Sequence, residues 1–292
     1  MKVAFFLAVS TIFWGINFHL AKVLLGQVGF VEAGFWRYLF GISTLLVLAA
    51  RKLPSPQLLF DNLKGITAVG VVGLFGFNIF FFLGLMHTSA VNAALIVSLN
   101  PALTIFLSYK VLGTPLLRKH IIGILISFIG VAYLLLKGDL SNLFELAFSY
   151  GDILILIANL LFALNHIWVK KYSVNISTMD FTIFTNLFCF LGFLLLLPIS
   201  GMENIMTHTP GFWYAVIGIG CFGTGIAYYT WNNGIKLSGA DRAGVFMNIV
   251  PLSTAVFSVF FNESLYLYHL ISGIIILMGL YVMKNKNRKG IA

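Results

Sequence analysis

The sequence predicts an all-α integral membrane protein: ten transmembrane helices in two five-helix repeats that sit inverted in the bilayer. Three observations carry this: a scarcity of charge, a series of long apolar runs, and a register of matching residues between the two halves. Of 292 residues, 60% are apolar and 9% charged, and the mean hydropathy is +0.98. A soluble domain carries roughly 25% charged residues, so this chain has too few to coat a globule in water. The apolar runs are bounded by charged residues, glycine and proline, and fall at 3–25, 32–50, 65–86, 90–110, 119–137, 152–170, 180–199, 211–234, 241–261 and 266–283. Most approach the roughly 20 residues needed to cross a hydrocarbon core.

The first run follows Lys2 and reaches Leu25 without a small-residue cleavage site, so it reads as a retained helix and not as a signal peptide. The net charge of +9 does not point to nucleic acid, because no basic patch interleaves with soluble structure. The basic residues instead report topology, since Lys and Arg accumulate on the cytoplasmic side. With both termini inside, Lys2, Arg51, Lys52, Lys64, Lys110, Arg118, Lys119, Lys170, Lys171, Lys236, Arg242, Lys284, Lys286, Arg288 and Lys289 face the cytoplasm. That is fifteen of eighteen, leaving Lys22, Arg37 and Lys137 toward the outside, and the segment 199–211 has no Lys or Arg. Cys189 and Cys221 lie in apolar helices without ligand-like spacing and read as small core or lipid-facing residues.

The halves correspond in order. FWGINFHLAK at 13–22 aligns with LFALNHIWVK at 161–170, matching Asn17 to Asn165 and Lys22 to Lys170 at an offset of 148, with Glu32 to Asp180 at the same offset. The offset then becomes 150 for Gly70/Gly220, Gly73/Gly223, Gly84/Gly234, Ala90/Ala240, Ala93/Ala243, Pro101/Pro251 and Gly123/Gly273. The expected repeats are 1–145 and 146–292. Five helices is an odd number, so the second repeat enters from the opposite face. Inverted repeats are an architecture of secondary transporters, with the site near the midplane where the repeats meet.

Trp14-Gly15-x-Asn17 with Lys22, Arg37 in FWRYLF, and the Ala90–Pro101–Gly123 and Ala240–Pro251–Gly273 series resemble the drug/metabolite transporter superfamily. The ten-helix branch with two EamA-type halves fits best, over essentially the whole chain. The resemblance implies export or exchange of amino acids, other small metabolites or drugs across a bacterial inner membrane. The chain departs from the family's pattern where Gly-Glu often closes the fourth helix: here the pair is Gly113-Thr114, so a carboxylate role at that position is not carried over, and the second half has Glu263 one residue earlier relative to its proline.

Polar groups at hydrocarbon depth are costly unless they face protein or water. The candidates for a substrate cavity are Asn17, Asn78, Ser98, Asn100, Asn165, Tyr228, Trp231, Asn232 and Asn248. Asn17 and Asn165 either line the outer and inner gates or act as interhelical glue, which averages about 0.6 kcal/mol per bond. Pro101 and Pro251 fall mid-helix, where each removes a backbone donor and frees an upstream carbonyl. Lipid cannot satisfy that carbonyl, so a bend with substrate contact competes with a self-satisfied kink. The amide and aromatic positions of helices 3 and 8 suit an amphipathic, ring-bearing solute. For Trp231 and Tyr229 an interfacial aromatic belt is the alternative.

Arg37 either holds a substrate carboxylate or snorkels to outer headgroups. His19 and His166 either carry a coupling proton or make structural hydrogen bonds. All nine acidic residues fall at helix ends or in loops, whereas proton relays usually use an intramembrane carboxylate. That pattern makes facilitated export or exchange at least as strong a reading as tight proton coupling. No phosphate-binding loop, hydrolytic signature, metal-ligand spacing or cofactor motif is present in the sequence, so no enzyme is expected. The expected partners are a small-molecule substrate and the lipid bilayer, as a monomer or weak homodimer. The leading substrates are amino acids. Nucleotide-like or phosphorylated metabolites, with several basic cavity residues, and drugs are the alternatives. An intramembrane lipid enzyme would need paired acid/base groups.

Overall fold

A computed structural model describes residues 2–50, 53–139 and 149–283. Its ten long helices are α1 (Lys2–Leu25), α2 (Phe30–Leu48), α3 (Leu63–His87), α4 (Ala90–Leu112), α5 (Arg118–Leu135), α6 (Tyr150–Tyr172), α7 (Thr178–Ser200), α8 (Pro210–Ser238), α9 (240–261) and α10 (Leu267–Met283). Each lies within four residues of its apolar run. Seven are long and apolar enough to cross a membrane. Phe246–Phe261 of α9 and α10 are shorter apolar helices, and α5 opens on Arg118-Lys119-His120. The repeat boundary expected at 145/146, the basic pair Arg51-Lys52 and the basic tail lie outside the described residues.

Local chemistry sets the ends. Ser89, Ser177 and Thr209 cap α4, α7 and α8 by accepting the amides of Asn92, Asp180 and Phe212. Gly113 closes α4 in the left-handed region at φ 68°, where a Cβ would be strained. Leu195, Ile199, Val259 and Phe260 stand exposed on the outer surface. Water would penalise such a coat; lipid does not.

The packing has the symmetry of the sequence. α1 packs on α8 and α9, and its counterpart α6 packs on α3 and α4. α2 packs on α7 and α8, while α7 packs on α2 and α3. α5 and α10 pair with each other at the periphery, where Gly123, Gly130 and Gly279 bring the backbones together.

Two further features recur in each half. α3 and α8 each contain nine residues of π-helix, Ala68–Gly76 and Gly218–Ile226, related by the offset of 150. Such segments are rare and concentrate at functional sites. α4 breaks into Ala90–Val97 and Asn100–Leu112, and α9 tightens into a 3₁₀ turn at Val245–Asn248. Both irregularities lie just upstream of Pro101 and Pro251, whose missing N–H cannot continue the ladder.

Candidate functional site

The regular helices α1, α2 and α6 and the irregular helices α3, α4, α8 and α9 together enclose a cavity of about 30 Å³ lined by Trp14, Asn17, Phe18, Arg37, Phe77, Phe81, Val97, Phe162, Tyr228, Met247 and Val250. It draws on both halves. Trp14 and Phe162 are repeat mates at offset 148, and Val97 and Met247 at offset 150, each pair beside a glycine-rich or proline-broken segment. A water needs about 10–15 Å³ of such space, so the centre is closed around little more than solvent. A metabolite enters only when these side chains part.

The polar atoms here are under-satisfied. Asn17 Oδ1, Arg37 Nη1, Asn78 Oδ1, Trp231 Nε1 and both ring nitrogens of His166 are buried without a hydrogen-bond partner. A buried donor or acceptor left unpaired costs about 1–3 kcal/mol. Of these residues Asn17 and Arg37 line the cavity, where water or solute would complete them, whereas Asn78, Trp231 and His166 do not line it.

Arg37 is the most exposed to that cost. Its side chain is 2% accessible, its Nε donates to Thr224 Oγ1 at 2.9 Å, and its guanidinium lies 5.7–5.9 Å from the rings of Tyr38, Phe81 and Phe82. Among the described residues no carboxylate forms an ion pair with it. The snorkelling alternative is therefore corrected: α2 packs against α7 and α8, and that side of α2 points into protein.

The aromatic-belt alternative for Trp231 also gives way. Trp231 is 1% accessible and packs 4.9 Å from Trp14 and 5.1 Å from His166. His166 in turn sits 4.4 Å from Phe162. These two rings form a second layer behind the cavity, and the structural hydrogen bond expected of His166 is not made.

The other sequence candidates divide by what holds them. Asn17 Nδ2 and Trp14 Nε1 both donate to Gly223 O, at 3.3 and 3.0 Å, in the π segment of α8. In the other half, Asn165 Nδ2 reaches Val69 O at 3.5 Å in the π segment of α3. A Cβ at Gly223 would overlap the Asn17 amide, and one at Gly73 would come within 2.7 Å of Asn165 Nδ2. The matched asparagines thus lean on matched glycines. Asn165 does not line the cavity; Asn17 does.

Asn100 lies in an α4–α6 clamp. It donates to Asn159 Oδ1 at 2.8 Å, Asn159 donates to Ile96 O at 2.9 Å beside the break, and Thr104 donates to Asn100 Oδ1 at 3.2 Å. Ser98 donates to Leu95 O in its own helix, Asn78 to Tyr38 Oη at 2.7 Å, and Asn232 to Thr182 Oγ1 at 3.0 Å. Asn248 is half-buried beside Met247 with its Oδ1 unpartnered.

The structure therefore brings Asn17, Arg37 and Tyr228 together at the cavity and leaves Ser98, Asn100, Asn165 and Asn232 as interhelical or local bonds. Asn159, Thr224, Phe18, Phe77 and Phe162 were not among the sequence candidates. The repeat register held a signal for Phe162, the mate of Trp14.

At one end of the bundle the buried acids find partners. Glu32 accepts from Trp36 Nε1 at 3.1 Å and from the Glu203 amide at 2.9 Å, with His208 3.3 Å away. Asp152 accepts from Thr88 Oγ1, whose backbone carbonyl accepts from Lys22. His19 lies 3.4 Å from Glu263. Among the described residues no group of three or more His, Cys, Asp or Glu is placed to hold a metal ion.

The model of the EamA-like transporter family matches the chain twice, at residues 1–136 and 149–284. An uncharacterized transporter of Bacillus subtilis, YyaM, is 29% identical over 92% of this chain and 89% of its own length. An uncharacterized transporter of Archaeoglobus fulgidus is 27% identical over 99% of both. A solved crystal structure superposes with a TM-score of 0.72 at 20% identity over 96% of each chain, a likeness of fold. The two matches, which together span nearly all of the sequence, establish that the chain belongs to the EamA-like transporter family.

Proposed function

We propose that this membrane transporter exports or exchanges small carboxylate-bearing metabolites, amino acids foremost, by alternating access across a bacterial inner membrane with both termini cytoplasmic. Arg37 carries the reading. A cation removed from water pays several kcal/mol, and this one keeps Nη1 free at the cavity among the described residues. A solute carboxylate would complete it, because the guanidinium fork matches that group's geometry. Asn17 Oδ1 offers an acceptor on the same cavity for an ammonium. The rings of Trp14, Phe18, Phe77, Phe81, Phe162 and Tyr228 suit an aromatic or amphipathic side chain. Phosphorylated or nucleotide-like solutes are less favoured, since Arg37 is the one basic residue among those lining the cavity.

The test is counterflow in proteoliposomes loaded with L-phenylalanine, L-leucine or phenethylamine, the last lacking the carboxylate. The amino acids are expected to exchange and the amine to be excluded. Equal movement of phenylalanine and phenethylamine would overturn the carboxylate reading.

A further inference from the structure

We propose that His19 and Glu263 form a proton-binding pair at the mouth of a vestibule, and that this proton is coupled to solute movement. α9 ends in a left-handed turn at Asn262, φ 53°, which folds Glu263 back over the bundle. Glu263 Oε1 accepts the Val91 amide at 2.9 Å, at the N-terminus of α4, where unpaired amides and the helix dipole favour an anion. That leaves Oε2 3.4 Å from His19 Nδ1 on α1.

The bonding around the ring then fixes a proton count. His19 Nε2 lies 2.8 Å from Thr254 O, a carbonyl that can only accept, so Nε2 carries a hydrogen. Nδ1 faces a carboxylate oxygen, which also accepts. A neutral ring against an ionised Glu263 would set lone pair against lone pair. The arrangement is satisfied with one further proton, held between Nδ1 and Oε2.

That proton has a path and a lever. His19, Lys22, Ser89, Phe261, Asn262 and Glu263 line a vestibule of about 410 Å³. The Glu263 side chain is 18% accessible and that of His19 1%, so the carboxylate is the member that meets water. On α1 the next positions inward, Phe18 and Asn17, line the central cavity. Release of the proton removes the attraction tying α1 to the end of α9 beside the solute site.

Neighbouring charges are few. Lys22, one turn along α1, lines the same vestibule and donates to Thr88 O. His269 on α10 accepts the Tyr266 amide at Nδ1 and faces Asn92 Oδ1 through Nε2 at 2.9 Å, which makes it a neutral ring. Asp152 on α6 lies behind Thr88. Burial pushes the Glu263 carboxyl up, but bonds from His19, the Val91 amide and Ser89 outweigh it and hold the group below the usual glutamate range, as an ion pair requires. In the sequence every acid falls at a helix end or in a loop, away from the helix-embedded His19; the turn at Asn262 is what carries Glu263 to that histidine.

The ring state is read by ¹⁵N NMR of the full-length protein labelled at histidine, at pH 7.0, with the His19 signal identified by its loss in His19→Gln. Both nitrogens are expected to be protonated in the wild type, and Glu263→Gln is expected to convert the ring to a single-hydrogen tautomer. A neutral ring in the wild type overturns the pair, whether or not any solute moves. Coupling, which rests on the transporter reading, is measured as lumenal pH change driven by an L-phenylalanine gradient in proteoliposomes. Glu263→Gln and His19→Gln should exchange phenylalanine without moving protons. Phenylalanine flux with no pH change in the wild type refutes the coupling. If phenylalanine does not move at all, the reading of the central cavity fails, and the ring state alone decides the pair.

Discussion

Arg37→Met separates a structural arginine from a solute-binding one. Methionine fills the aliphatic volume of the side chain and lies comfortably against Tyr38, Phe81 and Phe82. The substitution removes one hydrogen bond from a charged group, the Nε contact with Thr224, worth about 1.5–3 kcal/mol. It also removes ring contacts of about 0.5–2 kcal/mol each. Against these stands the desolvation of a guanidinium with no counter-ion among the described residues, several kcal/mol. Thr224 keeps its own bond to Ile219 O and is not orphaned. The terms nearly cancel, so thermal stability in detergent is expected to stay within about 1 kcal/mol of wild type. Binding of a carboxylate should fall steeply. Truncating one partner of a buried charge pair costs about 2–5 kcal/mol, which at 1.4 kcal/mol per tenfold is roughly 30-fold or more. The assay pairs amino-acid counterflow with a melting curve on the same preparation, with Arg37→Lys as a second variant that keeps charge but loses the fork. A large loss of stability in Arg37→Met, with flux per folded molecule unchanged, would refute the assignment and make Arg37 a packing residue.

Three other expectations follow from the geometry. Asn100→Ala removes the Asn100 bonds from α4 to α6 and leaves Asn159 Oδ1 unpaired, while the Asn159–Ile96 bond remains, so it should cost about 1–3 kcal/mol. Ser98→Ala, which loses only a bond within its own helix, should be nearly neutral; equal melting temperatures for the two would contradict the clamp. Gly223→Ala pushes a methyl into the Asn17 amide and is expected to cost about 1–3 kcal/mol by overpacking, with Asn17→Ala restoring part of the loss; additive effects in the double variant would show that the two do not touch. For orientation, a cysteine at the exposed Met206 in a Cys189→Ser/Cys221→Ser background should react with an impermeant maleimide in intact cells. Labelling only after lysis would reverse the topology.

Much of the architecture was legible in the chain because it depends on local chemistry. In hydrocarbon a backbone must satisfy itself within a helix, so apolar runs between charges and prolines mark the helices to within a few residues. The duplicated register carried further: Gly73 and Gly223 lie opposite the duplicated Asn165 and Asn17, and the breaks lie just upstream of the duplicated prolines.

What a side chain faces was a different matter. In a soluble helix the polar stripe marks the outside; in a membrane helix lipid and core are equally apolar, so one face reads like the other. For that reason Arg37 read equally as a headgroup contact, Trp231 as a belt residue and Glu263 as a loop acid. Helix contacts far apart in the chain decided otherwise: α2 against α8 buried Arg37 beside Thr224, α1 placed Trp14 on Trp231, and the turn after α9 laid Glu263 against His19. Sequence alone set which segments cross the membrane and how they repeat. Tertiary packing alone chose which polar atoms go unpaired at the centre, because that depends on which helices meet there.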